Sequence, residues 1–164
     1  MTLPPNKALA EALRSEIENL RRLQQEAADE QRRFGGQALP SVHDLRGVAS
    51  VLSDIYEGAE KAFERIVRVM GESLPSGFDW HQKLLTQMSE PVAGQRPAVI
   101  RPETQQQLDD FRRFRHVERH RYGFELDWQN IRVLLADSDQ ALNLLTADLE
   151  SLCLFLEQLD KGEE

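Results

Sequence analysis

A single cysteine, Cys153, is all the thiol that the 164 residues carry. That excludes an internal disulfide and a cysteine-only zinc site. Its apolar setting, Ser151-Leu152-Cys153-Leu154-Phe155, predicts a buried, inert thiol. Long hydrophobic runs are also missing. The longest unbroken one is the five residues Leu152 to Leu156, against about 20 needed to span a bilayer, so no membrane association is expected. The N-terminal stretch Met1-Thr2-Leu3-Pro4-Pro5-Asn6-Lys7 has no apolar signal region, and a reducing cytoplasm is the expected location. No segment alternates apolar and polar residues as a half-buried strand does, and no Asn-Gly or Asp-Gly marks a hairpin. Internal repeats and low-complexity tracts are absent. So are a Gly-rich phosphate loop, a Gly-x-Ser-x-Gly elbow, His-Glu-x-x-His and a cysteine nucleophile setting.

What the chain does have is helical periodicity. Its length suits one domain, 1–164, able to bury about 70% of its unfolded surface without a metal or disulfide. Leu9, Leu13, Ile17, Leu20 and Leu23 form one stripe of a helix over 7–34, stopped by Gly35-Gly36. A second helix starts near Ser41, where Ser41-x-x-Asp44 approximates a capping box, and runs through Leu45, Val48, Leu52, Ile55, Ala59, Phe63 and Ile66 to Gly71 and Pro75. Gly58 inside it suits a close helix contact. Asp79 is expected to cap a short third helix with Trp80, Leu84, Leu85 and Met88 on one face. Residues 91–102, with three prolines and a glycine, read as a loop of a length that is often functional. Thr104-x-x-Gln107 is a second capping-box pattern for a fourth helix, with Leu108, Phe111 and Phe114 facing inward. A last helix spans about 127–160. The predicted fold is all-α: an antiparallel bundle of four main helices plus a short extra one. The first helix and the end of the last have apolar surface to spare for a second copy of the chain.

The net charge of −8 argues against a general nucleic-acid or acidic-membrane binder. Its distribution is uneven. Residues 111–122 hold Arg112, Arg113, Arg115, Arg119 and Arg121 with His116 and His120 against one acid, Glu118, so this window is formally +4 and the remainder −12. An acidic body with one basic strip has the character of a local anion site. A solvated helix face is the plain alternative.

Two chemistries could use the strip. His116 and His120, four apart, share a helix face, and such a pair can hold zinc. A third ligand would have to come from Asp109, Asp110, His43, His81 or elsewhere, and the flanking arginines oppose a divalent cation, so no metal and no cofactor is expected. The other chemistry is phosphodiester cleavage. Arginine makes bidentate, charge-assisted contacts to phosphate, and histidine moves protons near neutral pH. RNA supplies its own nucleophile, the 2′-hydroxyl, so such a site needs no metal, and DNA would resist it.

Arg115-His116-Val117-Glu118-Arg119-His120 resembles the Arg-(polar)-x-x-x-His motif of HEPN-domain ribonucleases, and with Tyr122 it becomes Arg-x-x-x-x-His-x-Tyr, as in HepT toxins. The specific match is eight residues, 115–122. The helical pattern, the length and the motif's place before the last helix are also similar. The resemblance implies a metal-independent endoribonuclease toxin paired with a minimal nucleotidyltransferase antitoxin that attaches AMP to the motif tyrosine. It places Arg115 on the scissile phosphate, His120 as acid or base, and Tyr122 as the modified residue, with two motifs facing each other in the cleft of a homodimer. His116, in the polar position, assists catalysis or orients Arg115, and Arg112 and Arg119 add contacts to the RNA phosphate. A catalytically inactive bundle that binds protein or nucleotide is the alternative. Tyr122 is also open to a core reading, packed with Phe124 and Trp128. One geometric point stays open as well. On an unbroken helix residues five apart lie about 140° apart, so Arg115 and His120 share a site only if the helix ends near the motif or a dimer axis brings them together.

Overall fold

In the computed structural model the described residues are 4–162, and they are helical with no strand. Met1 to Leu3, which open the N-terminal stretch read above, lie outside them. The elements are α1 (Pro5–Phe34), α2 (Val42–Val69), α3 (Trp80–Met88), α4 (Pro102–Arg119), a single 3-10 turn at Gly123–Glu125, and α5 (Trp128–Gly162). At 1.5 Å per residue α5 is about 50 Å long.

Side-chain pairs fix the directions. Asn6 donates to Asp160 at 3.2 Å, and Gln24 donates to Asp139 and Asn143, both at 2.9 Å, so α1 and α5 run antiparallel. Arg65 of α2 meets Glu16 of α1, and Gly58 meets Leu20, which makes that pair antiparallel too. Ser53 donates to Glu118 at 2.8 Å and Glu57 faces Arg115, so α2 and α4 are also antiparallel. The predicted stripes are the buried ones: Leu9, Leu13, Ile17 and Leu20 of α1, Leu52, Ile55, Ala59 and Phe63 of α2, and Leu142, Leu145 and Leu149 of α5 lie in one apolar cluster. Each fully buried leucine contributes about 1.5–3 kcal/mol. The stripe of α1 is therefore covered within the chain, whereas α5 leaves Val133 and Leu154 exposed. Gly58 does carry a close approach, since a Cβ there would lie 3.0 Å from Leu20 Cδ2. Cys153 is buried, its Sγ lies 3.6 Å from the Ala10 carbonyl, and burial pushes its thiol up to about 11.

The termini follow local chemistry. Pro5 opens α1 at a first-turn position, where its missing N–H costs nothing. Ser41 Oγ accepts from Asp44 N at 3.1 Å and caps α2. At the other end Glu72 N donates to Val67 O at 2.9 Å across Gly71, whose φ of 73° is the left-handed turn that glycine adopts freely.

Two expectations are corrected. Thr104 is not a cap. Pro102 starts α4 two residues earlier because proline fits the first helical turn, and Thr104, fully buried, donates to Asp148 of α5 at 2.6 Å. Asp148 also accepts from Arg101 N at 3.1 Å, so the cap comes from another helix. Asp79 holds the position before α3, but its carboxylate pairs with Lys83 at 3.2 Å rather than with the backbone. The segment 91–102 is a loop, as expected, and it is tied to the end of α2 by Arg96, which is buried and donates to both Glu72 oxygens at 2.7 Å and to the carbonyls of Glu90 and Pro97.

Candidate functional site

α4 buries Leu108 and Phe111, and Arg115 follows at the next helical repeat of that face. Register thus carries a guanidinium inward, leaving Arg115 8% exposed. Its ion-pair partner, Glu57, is 3.9 Å away and half-exposed, and among the described residues Arg115 has no hydrogen-bond acceptor. Its charge also acts on the buried Glu60 carboxyl, but with no acceptor on it the planar fork of donors stays available to an anion from outside.

α4 stops at Arg119. His120 leaves helical geometry at φ −107°, ψ 9°, with its N–H on the Val117 carbonyl at 3.1 Å. The break falls inside the motif, three residues before Gly123, and brings Arg115 and His120 to the same groove of one chain. Of the two geometric routes left open by the sequence, this is the helix ending near the motif.

The groove has a volume of about 390 Å³ and lies between α4, α3 and the middle of α2. Five residues singled out from sequence line it together: Arg112, Arg115, His116, Arg119 and His120. The two histidine rings meet edge to face, with centroids 4.8 Å apart. Arg112 is steadied by Asp109, 2.7 Å from its Nε, while Arg119 is exposed. Phe78, fully exposed, stands on the rim. A larger hollow of about 490 Å³, between residues 97–102 and α5, contains no motif residue.

Tyr122 is not part of the groove lining. It is 69% exposed and stacks on Phe124, with rings 5.3 Å apart and nearly parallel. The core alternative fails on this point: Trp128 is buried elsewhere, its Nε1 donating to Gln37 O at 3.1 Å. No third ligand joins the His116–His120 pair among the described residues. Asp109 and Asp110 are held by Arg112 and Arg113 of their own helix, and among the described residues no three of His, Cys, Asp or Glu come together as a metal site.

Sequence reasoning missed the opposite wall. Glu60 lies on α2 one turn after Tyr56, buried, with Oε2 2.5 Å from His81 Nδ1 of α3. Burial pushes the Glu60 carboxyl up, and the hydrogen bond from His81 draws it back. Burial likewise raises the Tyr56 hydroxyl. From the sequence His81 reads only as a candidate metal ligand. The available signal was Glu60 itself, a lone acid in the apolar register of Tyr56 and Phe63.

Compared with known families, residues 47–156 match the family described as HepT-like protein. Neither the curated proteins nor the solved structures gave a match. The matched region is more than half of the chain and contains both walls of the groove. A helical bundle, an Arg-x-x-x-x-His-x-Tyr segment at the end of α4 and this match agree, and the chain belongs to the HepT-like protein family.

Proposed function

We propose that the protein is a metal-independent endoribonuclease, the toxin half of a toxin–antitoxin pair, and that the groove at the end of α4 is its active site. The observation that carries this reading is Arg115: a buried guanidinium without a hydrogen-bond acceptor among the described residues, in one groove with His120. Arg115 holds the scissile phosphate by its fork, and Arg112 and Arg119 bind neighbouring phosphate oxygens. The 2′ oxygen of the RNA bonds to phosphorus as its proton passes to a base in the groove. The bond from phosphorus to the 5′ oxygen breaks, and that oxygen takes a proton from His120. The products are a 2′,3′-cyclic phosphate and a 5′-hydroxyl, with no oxidant or co-reactant. His116, against the His120 ring, orients it.

Tyr122 is the acceptor of AMP from a minimal nucleotidyltransferase antitoxin. Its exposure outside the groove suits modification, and the added phosphate competes with RNA for Arg119. A homodimer places two such grooves together, with Val133 and Leu154 among the exposed apolar residues of α5 available to a second copy. The test is RNA cleavage by wild type and His120→Ala in EDTA. Wild type cleaves, and His120→Ala loses about 10²- to 10⁴-fold with helical content unchanged. Wild-type rates from His120→Ala would remove the catalytic assignment.

A further inference from the structure

Glu60 and His81 have no part in the chemistry above, yet they are built with care. Glu60 is the one acid among the buried residues of α2, where Tyr56, Ala59, Ala62 and Phe63 are its buried neighbours on the helix. Its side chain is 8% exposed, and its Oε2 lies 2.5 Å from His81 Nδ1. Placing a carboxyl there opposes burial, and a tie between α2 and α3 does not require one. His81 is held from a second side, its ring 3.7 Å from that of Trp80 and tilted by 30°. It remains about one-third exposed, and the surface it exposes lines the groove opposite Arg115 and His120.

With Nδ1–H donated to a carboxylate, a neutral imidazole carries its lone pair on Nε2. This is the arrangement that prepares a histidine to accept a proton, the acid fixing tautomer and ring. Taking up that proton places an imidazolium against the Glu60 carboxylate. Among the described residues no carboxylate pairs with His120, which stands at the end of α4 beside His116 and Arg119.

We propose that His81 is the second catalytic residue of the groove, taking the 2′-hydroxyl proton at Nε2 while His120 protonates the departing 5′ oxygen, and that Glu60 is the positioning residue for His81. This rests on the ribonuclease reading. The proton balance is closed: the 2′ oxygen loses one to His81, the 5′ oxygen gains one from His120, and solvent exchange resets both.

The experiment compares an oligoribonucleotide with the same oligomer carrying sulfur in place of the bridging 5′ oxygen at one linkage. A thiolate leaves without a proton, so the acid becomes dispensable and the base does not. His120→Ala loses at least about 10²-fold on the oxygen substrate and recovers to within about tenfold of wild type on the sulfur one. His81→Ala stays down on both and is partly restored by added imidazole. His81→Asn, whose amide still donates to Glu60 and keeps the wall folded, is as inactive as His81→Ala. Glu60→Gln lowers kcat without raising KM, and it adds nothing in the His81→Ala background. Wild-type rates from His81→Ala or His81→Asn overturn the proposal, and so does sulfur rescue of His81→Ala rather than His120→Ala. A wild-type protein that cleaves neither oligomer overturns the ribonuclease reading itself.

Discussion

Replacing Arg115 by methionine separates what the site does from what holds the fold. A residue placed by register on the face of Leu108 and Phe111, 8% exposed, would ordinarily be expected to stabilise the bundle. Arg115 has little with which to do so. Glu57 stands 3.9 Å away and half in water, and no hydrogen bond holds the guanidinium among the described residues. Removing one partner of a buried pair is costly when the other is stranded in the interior, but Glu57 is half in water and stays solvated when Arg115 is lost. The expectation is therefore a change of about 0–1 kcal/mol, or a Tm within ~4 °C of wild type for a chain of this size. Cleavage does fall: loss of a preorganised donor on the developing phosphate charge costs about 10²- to 10³-fold. Thermal unfolding followed by circular dichroism, alongside cleavage rates, reads both. A loss of more than about 2 kcal/mol in Arg115→Met would mean that the guanidinium anchors the fold.

Arg96→Met should have a different stability outcome, costing about 3–5 kcal/mol, because it leaves Glu72 half of a broken buried pair. Arg96 holds the Glu72 carboxyl below its usual range, so this pair stabilises the fold at neutral pH and the contribution fades as pH falls through the carboxylate range. Urea midpoints measured from pH 7 down to pH 3 should therefore converge for wild type and Arg96→Met; a constant gap would contradict the pairing. Thr104→Val should cost about 1–3 kcal/mol by removing a buried donor from Asp148, with cleavage unaffected since Thr104 lies outside the groove. Tyr122→Phe should fold and cleave as wild type but resist silencing by a minimal nucleotidyltransferase and ATP, checked by mass spectrometry of the intact protein. AMP found on another residue, or silencing that persists, would count against Tyr122 as acceptor.

Much of this molecule was readable in advance, for reasons that differ by element. The core of α1, α2 and α5 was legible because burial selects one side of a 3.6-residue period, and the leucines at that period are the ones buried. The end of α4 was ambiguous because Arg115 and His120 are five apart, and only the early unwinding at Arg119 decides which face His120 joins. Thr104 misled because a capping pattern is local, whereas its hydroxyl is taken by Asp148, 44 residues away. Arg96 and Glu72 were invisible for the same reason: a buried pair between a loop and the end of a helix leaves no periodic trace. Glu60 and His81 sit 21 residues apart on different helices, so half of the groove could be assembled only by the fold.

The proposed cleavage runs through the RNA's own 2′-hydroxyl, so removing that one oxygen should abolish it. An oligoribonucleotide cut by the wild-type protein in EDTA is compared with the same oligomer bearing a single 2′-deoxynucleotide on the 5′ side of the cut linkage. The expected result is cleavage of the first to a 2′,3′-cyclic phosphate and a 5′-hydroxyl, and no cleavage of the second at that linkage. Equal cleavage of both, or activity that vanishes with EDTA, would contradict it.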